Sequence, residues 1–147
     1  MAVITLDKSW LRACLVLDNR ALDSLWTENQ WCRELEEPHR LCLGLPDSRA
    51  LLGVACGWCV VDELHITAIA VDPAVRRRGY GRDLLVALLQ RARQNGAIYA
   101  TLEVASNNVS AVRLYADCKF QTAGIRHNYY SDGSDALIQW CRIANDS

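Results

Sequence analysis

The segment Val71-Asp72-Pro73-Ala74-Val75-Arg76-Arg77-Arg78-Gly79-Tyr80-Gly81 constrains the fold of this chain more than any other. Before it, Leu64 to Val71 is apolar with partial alternation, and Pro73 then removes a backbone donor, so the run reads as a strand that stops there. After it, Gly79 to Asn95 is the clearest helix: Leu84, Leu85, Leu88, Leu89 and Ala92 form one apolar stripe, and Gly96 follows as a stop signal. A strand that enters a helix through such a turn leaves free N–H groups at the helix start, and these carry partial positive charge that suits a pyrophosphate. The three arginines add charge for phosphate, and the glycines allow close backbone approach. A solvated basic turn capped by glycine has the same letters, so the loop alone leaves both readings open.

On either side of this segment the order is helices, hairpin, helix, strand, helix and two strands, a mixed α/β pattern. Ala21, Leu22 and Leu25, then Trp31 and Leu35, recur at roughly helical spacing. Thr27 and Gln30 suit a capping box, so one helix is expected to end near Trp26 and another to begin at Thr27, with Pro38 closing the region. Leu51 to Val61 and Leu64 to Val71 read as a hairpin turning at Val61-Asp62-Glu63, with Gly53 and Gly57 permitting tight turns or close approach. In the strand Ile98 to Val104, Ile98, Ala100, Leu102 and Val104 share one face, and Tyr99, Thr101 and Glu103 share the other. Asn107 or Asn108 can cap a helix running to about Cys118. Phe120 to Arg126 and Asp135 to Arg142 are the last strands, joined by a polar loop around Asp132-Gly133. Trp10 and Trp58 are expected in the core.

Composition excludes several classes. The length of 147 residues suits a single domain over 1–147 with one core, and half of the residues are apolar (51%), as in a globular chain. A net charge of -1 gives no nucleic-acid footprint. No apolar run approaches the length of a bilayer span, and the N-terminal residues do not read as a signal peptide. A cytoplasmic protein with reduced thiols is therefore expected, its seven cysteines being odd in number and irregular in spacing. Cys56-Gly57-Trp58-Cys59 has no second pair at zinc-site spacing, so its cysteines are expected in or near the core. His39, His65 and His127 form no ligand set, and no metal site is expected.

Arg76-x-x-Gly79-x-Gly81, placed after a strand and opening a helix, resembles the acyl-CoA loop of the GNAT superfamily of N-acetyltransferases. The second half is similar to the RimI branch: Leu102-Glu103-Val104, Asn108-x-x-Ala111-x-x-Leu114-Tyr115, Phe120, Gly124-x-Arg126-x-Asn128-Tyr129-Tyr130 and Asp135-Ala136. Leu25-Trp26-Thr27-Glu28 resembles the tryptophan-containing turn after that branch's first helix. Three positions depart from the pattern: Ala105 stands where arginine is common, Asn107 where serine is common, and Lys119 where glycine is near-standard.

The resemblance implies a GNAT fold: a mixed, mostly antiparallel sheet, splayed in the middle and flanked by helices. It implies acetyl-CoA as co-substrate, held by Ile69, Ala70 and Val71 through backbone groups, by Arg76, Arg77, Arg78, Gly79, Tyr80, Gly81 and Arg82, and by Asn108. The acceptor implied is the N-terminal α-amine of a protein, an alanine terminus of a small-subunit ribosomal protein, met by Trp26, Arg126, Tyr129 and Tyr130. Glu103 becomes the general base, because a protonated amine cannot attack a thioester. Tyr115 becomes the general acid, its phenol near an ordinary pKa of about 10 holding its proton until a thiolate forms. Transfer is direct, with no role for Cys118 as nucleophile. Another amine as acceptor, or a CoA-binding module without turnover, stays open on these residues. The expected form is a monomer touching neither nucleic acid nor membrane.

Overall fold

Apolar period and stop signals place most elements where the sequence puts them. The structure is a computed structural model and describes residues 2–143; Met1 and residues 144–147 of the expected domain lie outside the described residues. The elements are β1 (Ile4–Thr5), α1 (Leu11–Ala21), α2 (Glu28–Glu36), β2 (Arg40–Asp47), β3 (Ala50–Val60), β4 (Glu63–Val71), α3 (Tyr80–Gln94), β5 (Tyr99–Ala105), α4 (Val109–Asp117), β6 (Gln121–Arg126) and β7 (Ala136–Arg142). They form one sheet in the order β1-β2-β3-β4-β5-β7-β6, antiparallel at every junction except the parallel β4–β5 pair. This is the mixed, mostly antiparallel sheet that the resemblance implies.

Two layers of helix cover it. On one face α3 buries Leu84, Leu85, Leu88 and Ala92 against Leu43, Leu45, Ala55, Leu64 and Ala100, and α4 adds Tyr115 beside Phe120. Gly53 lets α3 come close, for a Cβ there would meet Leu84 Cδ1 at 2.6 Å. On the other face α1 and α2 bury Cys14, Leu17 and Trp31 against Cys42, Val54, Cys56, Ala68 and Ala70.

The structure corrects the sequence reading at four places. Strand β2 was not expected: Leu41, Cys42, Leu43 and Leu45 are all buried, so helices on both faces erase the alternation that marks a half-buried strand. Its Pro46 is tolerated because the register shifts between Leu45 and Pro46. The short β1 was not expected either. Helix α1 stops at Ala21 rather than near Trp26, since the buried Asp18 carboxylate accepts from Leu25 N (2.7 Å), Trp26 N (3.0 Å) and Trp31 Nε1 (2.7 Å) and draws the chain back. Asp23 (φ 54) and Ser24 (φ 57) take the left-handed turn this requires. Trp58 is not a core aromatic: it is 39% exposed near the end of β3, under the Arg40 guanidinium.

Other expectations hold. Thr27 and Gln30 form both halves of the capping box, at 3.2 and 2.7 Å. Asn108 caps α4 through Ala111 N. Cys56 is buried opposite Cys42, Cys59 is half-buried, and His65 pairs with Glu63. Lys119, in place of the expected glycine, adopts φ 74 just after α4, so the turn that glycine would make without strain is kept by a lysine.

Candidate active site

Strand β4 parts from β5 at the centre of the sheet. The two pair in parallel only at Glu63↔Tyr99, Leu64↔Ala100 and His65↔Thr101, while β4 runs on to Val71 and β5 to Ala105. Beyond His65 one edge of β4, including Ile69, Ala70 and Val71, has no strand beside it, so the polar groups along it are available to a ligand.

On the α3 side of this gap lies a cavity of about 650 Å³. It is lined by Ile69, Ala70 and Val71 from β4, by Arg76, Arg77, Gly79, Tyr80, Gly81 and Arg82 from the loop and first turn of α3, and by Asn108 and Tyr115 from α4. Arg78 does not line it. Arg77 (φ 67) and Gly79 (φ 82) are both left-handed and wind the loop into the helix. The first N–H groups of α3 have no partner within the helix and face the loop. A Cβ on Gly79 would meet nothing within 4 Å, and one on Gly81 would lie at ordinary contact, 3.6 Å from Leu114. Packing therefore does not demand glycine at position 81.

The loop is also anchored. Asp72 accepts Arg20 Nε (3.0 Å) and Nη2 (2.8 Å) and caps Ala74 N (2.9 Å). The Arg20 guanidinium holds the Asp72 carboxyl below its usual range. This pair ties the end of α1 to the loop and was not foreseen, because nothing local links residues so far apart.

A second cavity of about 290 Å³ joins the first through the gap, since Leu22, Ile69, Asn108, Ala111 and Tyr115 line both. Its other walls are Leu25, Ile66, Thr67, Glu103 and Tyr130. Glu103 lies near the end of β5 on the face away from buried Leu102 and Val104, and its Oε1 is 3.3 Å from Arg126 Nε. Tyr115 is buried, 9% exposed, and rests against Phe120. Burial, with Tyr130 as a lesser cause, pushes its hydroxyl up to about 12. Tyr130 is raised in turn by burial first and then by Glu103, so the three groups form one electrostatic neighbourhood.

The remaining acceptor residues are placed differently. Trp26 packs edge-on against Trp31 at 4.7 Å, and Leu22 and Leu25 line the cavity in its stead. Both leucines were visible in the sequence as part of the helical period, which hid their use in a loop. Tyr129 is exposed, meets Tyr130 edge-to-face (5.0 Å) and lies under the Arg126 guanidinium (5.8 Å). A larger groove of about 710 Å³ follows α1 past Lys8, Arg12 and Val16, apart from Glu103 and the Arg76–Gly81 loop. Among the described residues no group of His, Cys, Asp and Glu could hold a metal ion, and no helix is long and apolar enough to cross a membrane.

A cavity that crosses a sheet, with a cationic helix start at one mouth and a carboxylate at the other, suits transfer of an acyl group from a phosphate-bearing thioester to an amine. The chain belongs to the acetyltransferase (GNAT) family, whose pattern matches residues 6–120. It is an N-acetyltransferase that takes its acetyl group from acetyl-CoA. It is 33% identical, over 92% of its length and 93% of the relative's, to the [ribosomal protein bS18]-alanine N-acetyltransferase of Escherichia coli. It is 39% identical to the N-alpha-acetyltransferase RimI of Mycobacterium tuberculosis, over 78% of this chain and 73% of that one. The crystal structure of the ribosomal-protein-S18-alanine N-acetyltransferase from Escherichia coli superposes with a TM-score of 0.90 at 31% identity, covering 99% of this chain and 96% of that one.

Proposed function

We propose that this enzyme acetylates the N-terminal α-amine of a protein in the cytoplasm, with an alanine-starting small-subunit ribosomal protein as its acceptor. The observation that carries the reading is the smaller cavity. Its apolar walls, Leu22 and Leu25, leave room for a small terminal side chain beside the Glu103 carboxylate, on the far side of the gap from the arginine loop. The names of the relatives given above point the same way.

Acetyl-CoA supplies the thioester carbonyl. In this reading the chain's own residues do the rest. The first turn of α3 and the side chains of Arg76 and Arg77 hold the phosphates. Backbone groups on the open edge of β4, at Ile69 to Val71, hold the arm and polarise the carbonyl. Glu103 takes the proton that the acceptor ammonium must lose, directly or through water. As the amine nitrogen bonds to the carbonyl carbon and the carbon–sulfur bond breaks, Tyr115 gives its proton to the departing sulfur. Its raised value keeps that proton in place through neutral pH. Cys118 is not needed as a nucleophile: burial raises its thiol, so little thiolate is present.

The test offers three acceptors: an alanine-starting peptide, the same peptide N-blocked and carrying a lysine, and a polyamine. Rates of CoA release should favour the free N-terminus by at least tenfold. Equal or better rates on either other acceptor would overturn the reading.

A further inference from the structure

The Glu103 carboxylate is not alone at the mouth of the acceptor cavity. Arg126, the last residue of β6, sets its Nε 3.3 Å from Glu103 Oε1. Its guanidinium also lies over the Tyr129 ring, 5.8 Å from the centroid. The loop that follows is fastened: Asn128 N donates to Asp135 Oδ1 (2.9 Å), Tyr129 N and Tyr130 N donate to Ser134 O (3.1 Å each), and Ser106 N donates to Asp135 O (2.9 Å). The cation is therefore held from two sides, by a carboxylate and by a ring on a braced loop. Yet Arg126 does not line the cavity itself.

We propose that Arg126 is a positioning and specificity-determining residue: it holds one oxygen of Glu103, leaves the other for the amine, and disfavours any acceptor that arrives as a cation. The inference rests on Glu103 being the base that meets the acceptor, as read above. A bare carboxylate in that cavity would capture ammonium ions of every kind. Paired with Arg126 it carries no net charge, and the fixed guanidinium repels a second cation drawn up beside it. The site then selects amines by how readily they shed a proton. An α-amine does so near pH 7.7–8.0 and a lysine near 10.4, so at neutral pH the neutral fraction of the α-amine is roughly 300-fold larger. Charge alone thus sorts chain ends from lysines and polyamines, without a contact to the rest of the peptide.

Few other charges face Glu103. From α4 there is Tyr115 and from the β6–β7 loop Tyr130, both neutral at physiological pH. Strand β7 places Ile138 opposite it, and β4 and the α1–α2 loop bring the uncharged Ile66, Thr67, Ala68, Ile69, Leu22 and Leu25 to the cavity. In the β6–β7 connection His127 and Asp135 pair with each other at 3.4 Å. Arg126 is the one full positive charge among the described residues with an ion pair to Glu103.

The experiment compares wild type with R126Q and R126K. It measures kcat/KM on an alanine-starting peptide from pH 6.5 to 9.5, and inhibition by the N-blocked lysyl peptide. In R126Q the acid limb should move up by about one pH unit, with activity lost at pH 7 and largely regained at pH 9.5. The lysyl peptide should inhibit R126Q about tenfold more tightly, because an unpaired carboxylate now holds its ammonium. R126K should restore both properties in the main. Acetyl-CoA affinity by calorimetry should match wild type in every variant, and R126A replaces R126Q if the latter does not fold. An R126Q profile that overlays wild type, or a loss equal at all pH values with inhibition unchanged, overturns the proposal. If wild type itself prefers the lysyl peptide, the acceptor reading fails instead, while a displaced limb still reports the charge of Arg126.

Discussion

Strand β4 has two edges with different fates. Along one, it pairs with β3 from Val60↔Glu63 to Gly53↔Val71, broken only by a bulge between Cys56 and Gly57. Along the other, it holds β5 for Glu63 to His65 and then lets go. Where the sheet is closed, α3 packs its aliphatic side chains on one face of β3 and β4, and that burial stabilises the sheet. The open edge leaves backbone polar groups without a strand partner, which costs stability unless water or a ligand meets them. The paired edge thus belongs to the stable frame of the sheet and the open edge to the candidate site, and variants on either side should separate stability from activity.

The largest effect is expected on the open side. Glu103→Gln removes the carboxylate proposed as proton acceptor and should lower turnover at neutral pH by about two to four orders of magnitude. Acetyl-CoA affinity and melting temperature should stay near wild type. Retention of most activity across pH would place amine deprotonation elsewhere. On the closed side the pattern reverses. Leu88→Ala empties a fully buried position and should cost about 2–5 kcal/mol of unfolding free energy by denaturant titration. The fraction that remains folded should turn over normally; a specific-activity loss beyond the unfolded fraction would show that the two edges are coupled.

Tyr115, on α4, lines both cavities and sharpens the contrast. Tyr115→Phe should reduce turnover while acetyl-CoA binding holds. It should also alter stability in alkali, with a definite sign. The folded hydroxyl is raised to about 12, so above pH 10 the unfolded chain ionises first and folding stability falls as pH rises. The loss in wild type approaches about 3 kcal/mol toward pH 12. Tyr115→Phe lacks this particular loss, so equal alkaline destabilisation of the two proteins would refute the assignment. The smallest expected effect is at Gly81. Because its Cβ would touch Leu114 only at 3.6 Å, Gly81→Val should fold with little change in melting temperature. Its acetyl-CoA dissociation constant should rise about tenfold, or about 1.4 kcal/mol. Wild-type affinity in calorimetry would remove this backbone from the phosphate site.

Much of this was legible before any coordinates. The stripe on α3, the capping box at Thr27 and Gln30, the two faces of β5 and the strand–loop–helix around Arg76 to Gly81 are local patterns, set by residues a few positions apart. The loop motif, Glu103 and Tyr115 were readable as site residues only through the family resemblance, since a basic glycine turn, a strand glutamate and a helix tyrosine each suit an ordinary structural role as well. Strand β2 was not, because burial on both faces depends on helices distant in the sequence. The end of α1 was not, because it is decided by the Asp18 carboxylate capturing N–H groups that a longer helix would have used.

What the tertiary structure alone decided is relational. Arg20 meeting Asp72, Arg126 meeting Glu103, Leu22 and Leu25 turning into the cavity, and Trp26 turning away onto Trp31 are facts about elements brought together by the sheet. The sequence determines such contacts only through the whole fold. The family resemblance implies a splayed sheet, but where β4 and β5 part is of the same kind. Both strands carry the apolar residues of a continuous pairing, and nothing in either run marks where they part. Past that point β4 stays paired with β3 as far as Val71, and β5 with β7 as far as Ala105.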